Sequence, residues 1–261
     1  MNKTILITGA TSGFGKAIAT RFAQEGYTVC IAGRREERLA ELKNALEKQY
    51  SVKVITLAFD IRDRKQVEDA INKLKTQVTD IDILVNNAGL ASGLATIDEG
   101  DIDDWEAMID TNLKGLLYVT RQIAPMMRAR ATGHIINIGS TAGKQVYKNG
   151  NVYCATKFAV DALNQAMRID LLPYGIKVTA INPGMAETEF SLVRFHGDEE
   201  RAKNMYTGIN ALQADDIANI AWYCATLPPH VCINDLTVTC LTQATSVYAI
   251  KEAERVKPLL S

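Results

Sequence analysis

The stretch Lys3-Thr4-Ile5-Leu6-Ile7-Thr8-Gly9-Ala10-Thr11-Ser12-Gly13-Phe14-Gly15 decides the fold. It opens with a short apolar run and passes through a glycine-rich turn. It then enters residues 14–24, where Phe14, Ile18 and Phe22 recur at helical spacing. Strand, turn and helix in that order form the first half of a parallel βαβ unit. Working outward, the unit repeats. Residues 28–32, 52–59 and 81–85 read as strands, with helical patterns at 36–48 and 64–78 between them. The second half continues with a long helix at 103–130, a strand at 134–138, a helix at 152–172, a strand at 176–181, a helix at 214–226 and a last strand at 236–240. No repeat, charge run or low-complexity tract interrupts the chain. Residues 1–261 therefore read as one doubly wound α/β domain of the Rossmann type, with about seven parallel strands and helices on both faces.

Composition bounds the function. The 261 residues are 47% hydrophobic, enough to bury a large core and to exclude disorder. With 29 Lys and Arg against 30 Asp and Glu the net charge is −1, so no global basic field recruits nucleic acid or an anionic membrane. The first apolar run is too short for a signal-peptide core or a membrane span. Five cysteines, Cys30, Cys154, Cys224, Cys232 and Cys240, lack C-x-x-C spacing, which argues against a disulfide framework or a zinc site and for a reduced, cytoplasmic setting.

In an open parallel sheet, ligands bind beyond the carboxyl ends of the strands. This sequence collects its unusual polar residues there: Thr8 to Gly15, Gly33-Arg34-Arg35, Asp60-Ile61, Asn86-Asn87-Ala88-Gly89, Gly139-Ser140 and Asn182-Pro183-Gly184. Such an edge suits a long ligand, and a dinucleotide is long. Gly9, Gly13 and Gly15 allow tight turning, and the following helix offers free N–H groups and a positive dipole end to a pyrophosphate. Their Gly-x-x-x-Gly-x-Gly spacing departs from G-x-G-x-x-G and also serves an ordinary glycine-rich turn. Arg34 and Arg35 stand where an NAD-binding fold places an acid on the ribose 2′-hydroxyl, and their planar cationic donors suit a 2′-phosphate. NADP(H) is favoured over NAD(H). The competing account is a solvated helix start with surface ion pairs, which is the expected state of Arg38.

Tyr153-Cys154-Ala155-Thr156-Lys157 places a phenol and an ammonium four apart, on one face of a helix. A neighbouring cation stabilises phenolate and lowers the tyrosine pKa, which fits general acid or base work in an alcohol–carbonyl interconversion. Taken alone the pair is common on amphipathic helices. Ser140, 13 residues upstream at a strand end, adds a hydroxyl able to bond the reacting oxygen. Cys154 points about 100° away around the helix and reads as a packing residue.

With these residues in place the chain resembles the short-chain dehydrogenase/reductase family from about residue 3 to 243. The matching residues are Thr8-Gly9-x-x-x-Gly13-x-Gly15, Asp60, Asn86-Asn87-Ala88-Gly89, Asn112, Ser140, Tyr153-x-x-x-Lys157 and Pro183-Gly184. The resemblance implies Tyr153 as acid/base and Ser140 as the group orienting the carbonyl. Lys157 would lower the tyrosine pKa and bind the ribose hydroxyls, and Asn112 would anchor a water in a proton relay. It further implies that the turn, with Gly9, Thr11, Ser12, Gly13, Phe14 and Gly15, surrounds the pyrophosphate. Asp60, Ile61, Asn87, Ala88 and Gly89 would hold the adenine and ribose side, and residues 178–188, including Pro183, Gly184 and Thr188, would flank the nicotinamide. A homotetramer built on the helices at 103–130 and 152–172 is the family expectation.

Two rival readings fall short. A Ser-His-Asp hydrolase fails because Gly139-Ser140-Thr141-Ala142-Gly143 lacks the glycine a G-x-S-x-G elbow needs at Ile138, and His134, His196 and His230 offer no preferred partner. An idle Rossmann binding module would not need the Ser140, Tyr153 and Lys157 set.

Specificity is expected in the irregular region 185–210, which can fold over the cleft as a substrate lid. Arg194 there is a directed anion receptor if it points inward, and a solvated or lid-anchoring residue otherwise. The lid and residues 227–234 resemble the NADP-dependent branch acting on serine, allo-threonine and 3-hydroxy acids, together with the related sulfoacetaldehyde reductases. The implied partner is a small anionic substrate, with Tyr147 and Tyr206 completing the pocket. Two features depart from that branch: Thr239-Cys240-Leu241-Thr242-Gln243 lacks its proline, and a charged tail spans 251–261.

Overall fold

Crossover connections of helical length force successive strands of a sheet to run parallel. The computed structural model, which describes residues 3–256, bears this out in seven strands. These are β1 (Thr4–Thr8), β2 (Thr28–Gly33), β3 (Val54–Ala58), β4 (Ile83–Asn86), β5 (Gly133–Ile138), β6 (Ile176–Pro183) and β7 (Asp235–Val238). Their order across the sheet is β3-β2-β1-β4-β5-β6-β7, and every pairing is parallel. From β1 the chain builds outward first to one side and then, from β4, to the other. The reversal between β1 and β4 opens a crevice at their carboxyl ends.

Helices cover both faces. Helices α1 (Gly13–Gln24), α2 (Glu36–Tyr50) and α9 (Ala214–Thr226) pack Ile18, Phe22, Leu39, Leu42 and Ile217 on one side. Helices α3 (Arg64–Lys75), α5 (Leu116–Arg130) and α6 (Asn151–Leu171) pack Val67, Ile71, Val119, Ile123 and Val160 on the other. Period-two alternation divides β1 between them: Ile5 and Ile7 face the first cluster and Leu6 the second.

Three local differences from the sequence reading have physical causes. The single helix expected at 103–130 is α4 (Ile102–Ile109), a π-helical turn (Asp110–Gly115) and α5. Close packing explains the glycine that ends this turn, since a Cβ on Gly115 would sit 2.8 Å from Ile61 Cγ1. Region 185–210 is not wholly irregular; it holds α7 (Glu189–Arg194) and α8 (Glu199–Asn204). The last strand ends at Val238, whose carbonyl accepts from Gly184 N–H at 2.7 Å. The charged tail is described only to residue 256, where Glu252 N–H donates to Gly208 O at 2.7 Å; its remaining residues lie outside the described residues.

Candidate active site

The glycine turn is stitched to the end of β4. Thr8 Oγ1 accepts from Asn87 and Ala88 N–H at 3.0 and 2.9 Å, while Asn87 Nδ2 donates to Thr8 O and Gly9 O at 2.8 and 3.1 Å. Gly9, at φ +65°, permits this approach, since a Cβ would lie 2.8 Å from Ala88 Cα. A Cβ on Gly15 would run into Gly9 O and sit 2.9 Å from Ala10 Cα, so Gly15 lets α1 rest on the turn. The Ser12 side chain caps no amide of α1, and the first turn of α1 carries no acid. These amides and the dipole end are thereby free for a phosphate, and a dinucleotide pyrophosphate fits the cradle.

One cavity of about 490 Å³ runs from Arg34 and Arg35, past Gly13 and Asn87, to Ser140, Tyr153 and Lys157 and on to Arg194. It collects nearly every residue singled out from the sequence. Thr11, Ser12, Phe14, Asp60, Ile61, Ala88, Gly89, Tyr147, Pro183, Gly184, Thr188 and Tyr206 all lie on its wall. Gly15 and Asn112 stand off it. Asn112 sits in the π-helical turn, where its Oδ1 accepts from Leu90 N–H at 2.8 Å and its Nδ2 donates to Leu90 O and Thr156 Oγ1 at 2.8 and 3.1 Å. Its side chain thus braces the loop after β4 against α6.

Ser140 lies two residues beyond the end of β5, and its Oγ accepts from Ala142 N–H at 3.1 Å at the start of a short turn. One helical turn apart on α6, Tyr153 and Lys157 are both buried, with Lys157 Nζ 5.9 Å from the Tyr153 ring centroid. Nζ donates to Ile138 O at 3.0 Å and lies 3.6 Å from where a Cβ on Gly89 would stand. Burial drives the electrostatics. It raises the Tyr153 phenol, helped by the neighbouring Tyr147 phenol, against the opposing pull of a hydrogen bond with Ser140 and of the Arg194 guanidinium. The same burial pulls Lys157 down to about 8. Of the cations around Tyr153, the Arg194 guanidinium opposes the rise of the phenol, and Lys157 Nζ stands 5.9 Å from the ring centroid.

Arg194 points inward. It is 7% exposed, donates to Tyr147 Oη at 2.6 Å and to Gly93 O at 3.4 Å, and stacks 5.6 Å from the Tyr153 ring centroid. Among the described residues it has no carboxylate partner, so a buried cation faces the cavity without a counter-ion. Tyr206 has a different task. Its hydroxyl donates to Ala186 O at 2.8 Å and lies 2.6 Å from Ser191 Oγ, which ties α7 to the loop after β6.

At the other end, Arg35 donates to Thr11 Oγ1 and Ser12 Oγ at 2.8 and 3.1 Å and pairs with Glu189 at 3.2 Å. Arg38 also pairs with Glu189, at 3.0 Å to each carboxylate oxygen, a half-exposed surface ion pair of the kind expected at this helix start. The signal was present in Arg35-Glu36-Glu37-Arg38, because residues three apart share a helix face. Asp60 is gripped by Arg62, whose hydrogen bond holds its carboxyl below the usual range with lesser help from the Arg34 charge. The sequence reading had assigned no role to Arg62 or Glu189. No histidine lines the cavity, and among the described residues no group of three metal-ligating side chains forms.

A parallel doubly wound sheet with a Ser-Tyr-Lys cluster at its carboxyl edge defines a dehydrogenase of the Rossmann type. A short chain dehydrogenase family model matches residues 3–198, and the chain belongs to that family. It is 48% identical to the NADP-dependent 3-hydroxy acid dehydrogenase YdfG of Salmonella typhi over 241 residues, 92% of this chain and 96% of that one. Sulfoacetaldehyde reductase 2 of Chromohalobacter salexigens is 44% identical over 251 residues, 96% of this chain and 99% of that one. Among solved structures, the closed form of serine dehydrogenase complexed with NADP⁺ superposes with a TM-score of 0.88 at 45% identity, covering 95% of this chain and 99% of that one. No helix among the described residues is long and apolar enough to cross a membrane.

Proposed function

We propose that the protein is an NADP(H)-dependent oxidoreductase that interconverts a small anionic hydroxy compound, of the serine or 3-hydroxy acid type, with its carbonyl. The observation that carries the substrate class is the buried Arg194 guanidinium, beside Tyr153 and without a carboxylate partner among the described residues. An anion on the substrate supplies the missing charge, and a forked donor fixes its orientation. A dehydrogenase for 3-hydroxy acids, one for serine and a reductase for sulfoacetaldehyde among the relatives agree with an anionic substrate.

NADP(H), when bound, supplies or accepts the hydride. Tyr153 delivers the phenolic proton to the carbonyl oxygen in reduction and takes it back in oxidation, while Ser140 donates a hydrogen bond to the same oxygen. Lys157, with its pKa drawn down to about 8, exchanges a proton near neutral pH and replenishes Tyr153. Asn112 holds α6 in register for both. Arg34, Arg35 and Arg38 face the cofactor's 2′-phosphate, the glycine turn its pyrophosphate, and Pro183, Gly184 and Thr188 its nicotinamide end. Residues 185–210 serve as the substrate lid, with Tyr147 positioning Arg194 and Tyr206 bracing α7.

The second reading is reduction of sulfoacetaldehyde, since Arg194 can bond two sulfonate oxygens as readily as two carboxylate oxygens. A spectrophotometric screen with NADPH and NADP⁺ separates the two. In it, Arg194→Ala should lose roughly 100-fold in kcat/KM toward carboxylate or sulfonate substrates, in keeping with a truncated buried charge contact, and far less toward neutral aldehydes. Equal losses on both would remove Arg194 from substrate recognition. The chain is proposed to work as a cytoplasmic homotetramer; its five cysteines, all free, suit a reducing compartment.

A further inference from the structure

The carboxylate of Glu189 lies where the cofactor's 2′-phosphate is expected. It bridges Arg35 and Arg38, two guanidinium groups on one side of the start of α2, and Arg35 also reaches Thr11 and Ser12 in the glycine turn. Glu189 belongs to α7, the helix that also carries Phe190 against Tyr153, with ring centroids 5.7 Å apart, and Arg194. Thr188, which caps that helix, stands 3.5 Å from where a Cβ on Gly13 would be. One helix is therefore fastened at the adenosine end of the cavity and bears two side chains at the reacting end.

We propose that Glu189 is a specificity-determining latch that competes with the 2′-phosphate of NADP(H) for Arg35 and Arg38, so that cofactor docking and release of α7 are one exchange of anions. The inference rests on the reading that these arginines face the 2′-phosphate. Charge sets the direction: a phosphate monoester carries nearly two negative charges and three acceptor oxygens, against the single charge of a carboxylate. Exposure sets the ease. The side chains of Arg35, Arg38 and Glu189 are 43%, 45% and 45% exposed, and ion pairs so open to solvent are weak enough for the dianion to displace. NAD(H), with no 2′-phosphate, leaves the latch fastened, so Glu189 tempers the preference that the arginines give NADP(H) and ties docking of the phosphorylated cofactor to release of α7.

Titration calorimetry with 2′,5′-ADP and 5′-ADP, of which only the first carries a phosphate on the ribose 2′-oxygen, tests the idea without turnover. Glu189→Gln, which keeps the shape and removes the charge, should bind 2′,5′-ADP about three- to tenfold more tightly, the range expected from removing two exposed ion pairs, with 5′-ADP unchanged. Unchanged or weaker binding of 2′,5′-ADP would overturn the latch. Arg35→Ala separates this result from a failure of the underlying reading: if it costs both fragments equally, the arginines do not face the phosphate at all. In the wild-type chain, 2′,5′-ADP should speed hydrogen exchange in residues 189–194 while 5′-ADP does not. Equal exchange with both fragments would also overturn it.

Discussion

Tyr153 combines a buried phenol with a hydroxyl neighbour at Ser140 and a cation at Arg194, and burial keeps the proton on the phenol. Removing the hydroxyl alone isolates that role. Tyr153→Phe should reduce kcat about 10²- to 10⁴-fold, the usual contribution of a positioned acid or base, while NADPH affinity measured by fluorescence stays within a few-fold of wild type. Near-normal turnover would dismiss the assignment. The pair itself was legible because residues four apart on a helix must share a face. The contact with Arg194 was not. Arg194 reaches Tyr153 only after α7 folds across the cleft and Tyr147 and Gly93 clamp it, and no spacing within the chain encodes that contact. The pairing of Arg38 with Glu189 was hidden for the same reason, the two being 151 residues apart in sequence.

Among the elements, strands and strand-end loops were the easiest to anticipate, since a parallel strand covered on both faces is a short continuous apolar run and the polar residues after it can only belong to the ligand edge. Helix interruptions were harder. The π-helical turn at Asp110–Gly115 buries Thr111, Asn112 and Gly115, and its six residues are too few to interrupt the apolar periodicity of the helices on either side, so the stretch suggests one long helix. Helices α7 and α8 are six residues each, too short for a periodic signal. Helices α5 and α6 leave Leu117, Phe158 and Ile169 exposed, and Leu172 follows directly at 71% exposure. Such apolar residues on neighbouring helices suit burial between subunits. Sedimentation equilibrium should give four times the 28.6 kDa chain mass, and Ile169→Asp together with Leu172→Asp should lower it. An unchanged mass for that double variant would place the contacts elsewhere.

Across the whole molecule, the two edges of the sheet carry different chemistry. The carboxyl edge holds the cavity, and the amino edge holds His134, buried near the start of β5 with Nε2 2.7 Å from Thr179 Oγ1. Burial, aided by the Lys177 charge, drives this imidazole from 6.5 down to about 3. A group depressed in this way is neutral when folded and binds a proton on unfolding, so its contribution is complete above pH 6.5 and drains away as pH falls toward 3. The slope contributed is at most about 1.4 kcal/mol per pH unit. Thermal unfolding of wild type and His134→Leu between pH 7 and pH 4 should show a shallower acid decline in the variant, and parallel curves would clear His134 of the effect.

Because the buried imidazole stands at one margin of the sheet and hydride chemistry at the opposite margin, the share of acid tolerance that His134 sets and the preference among substrates are separable traits. A lineage moving into a sour niche could retune the former by changing β5 near its beginning, leaving the residues that grip cofactor and substrate untouched.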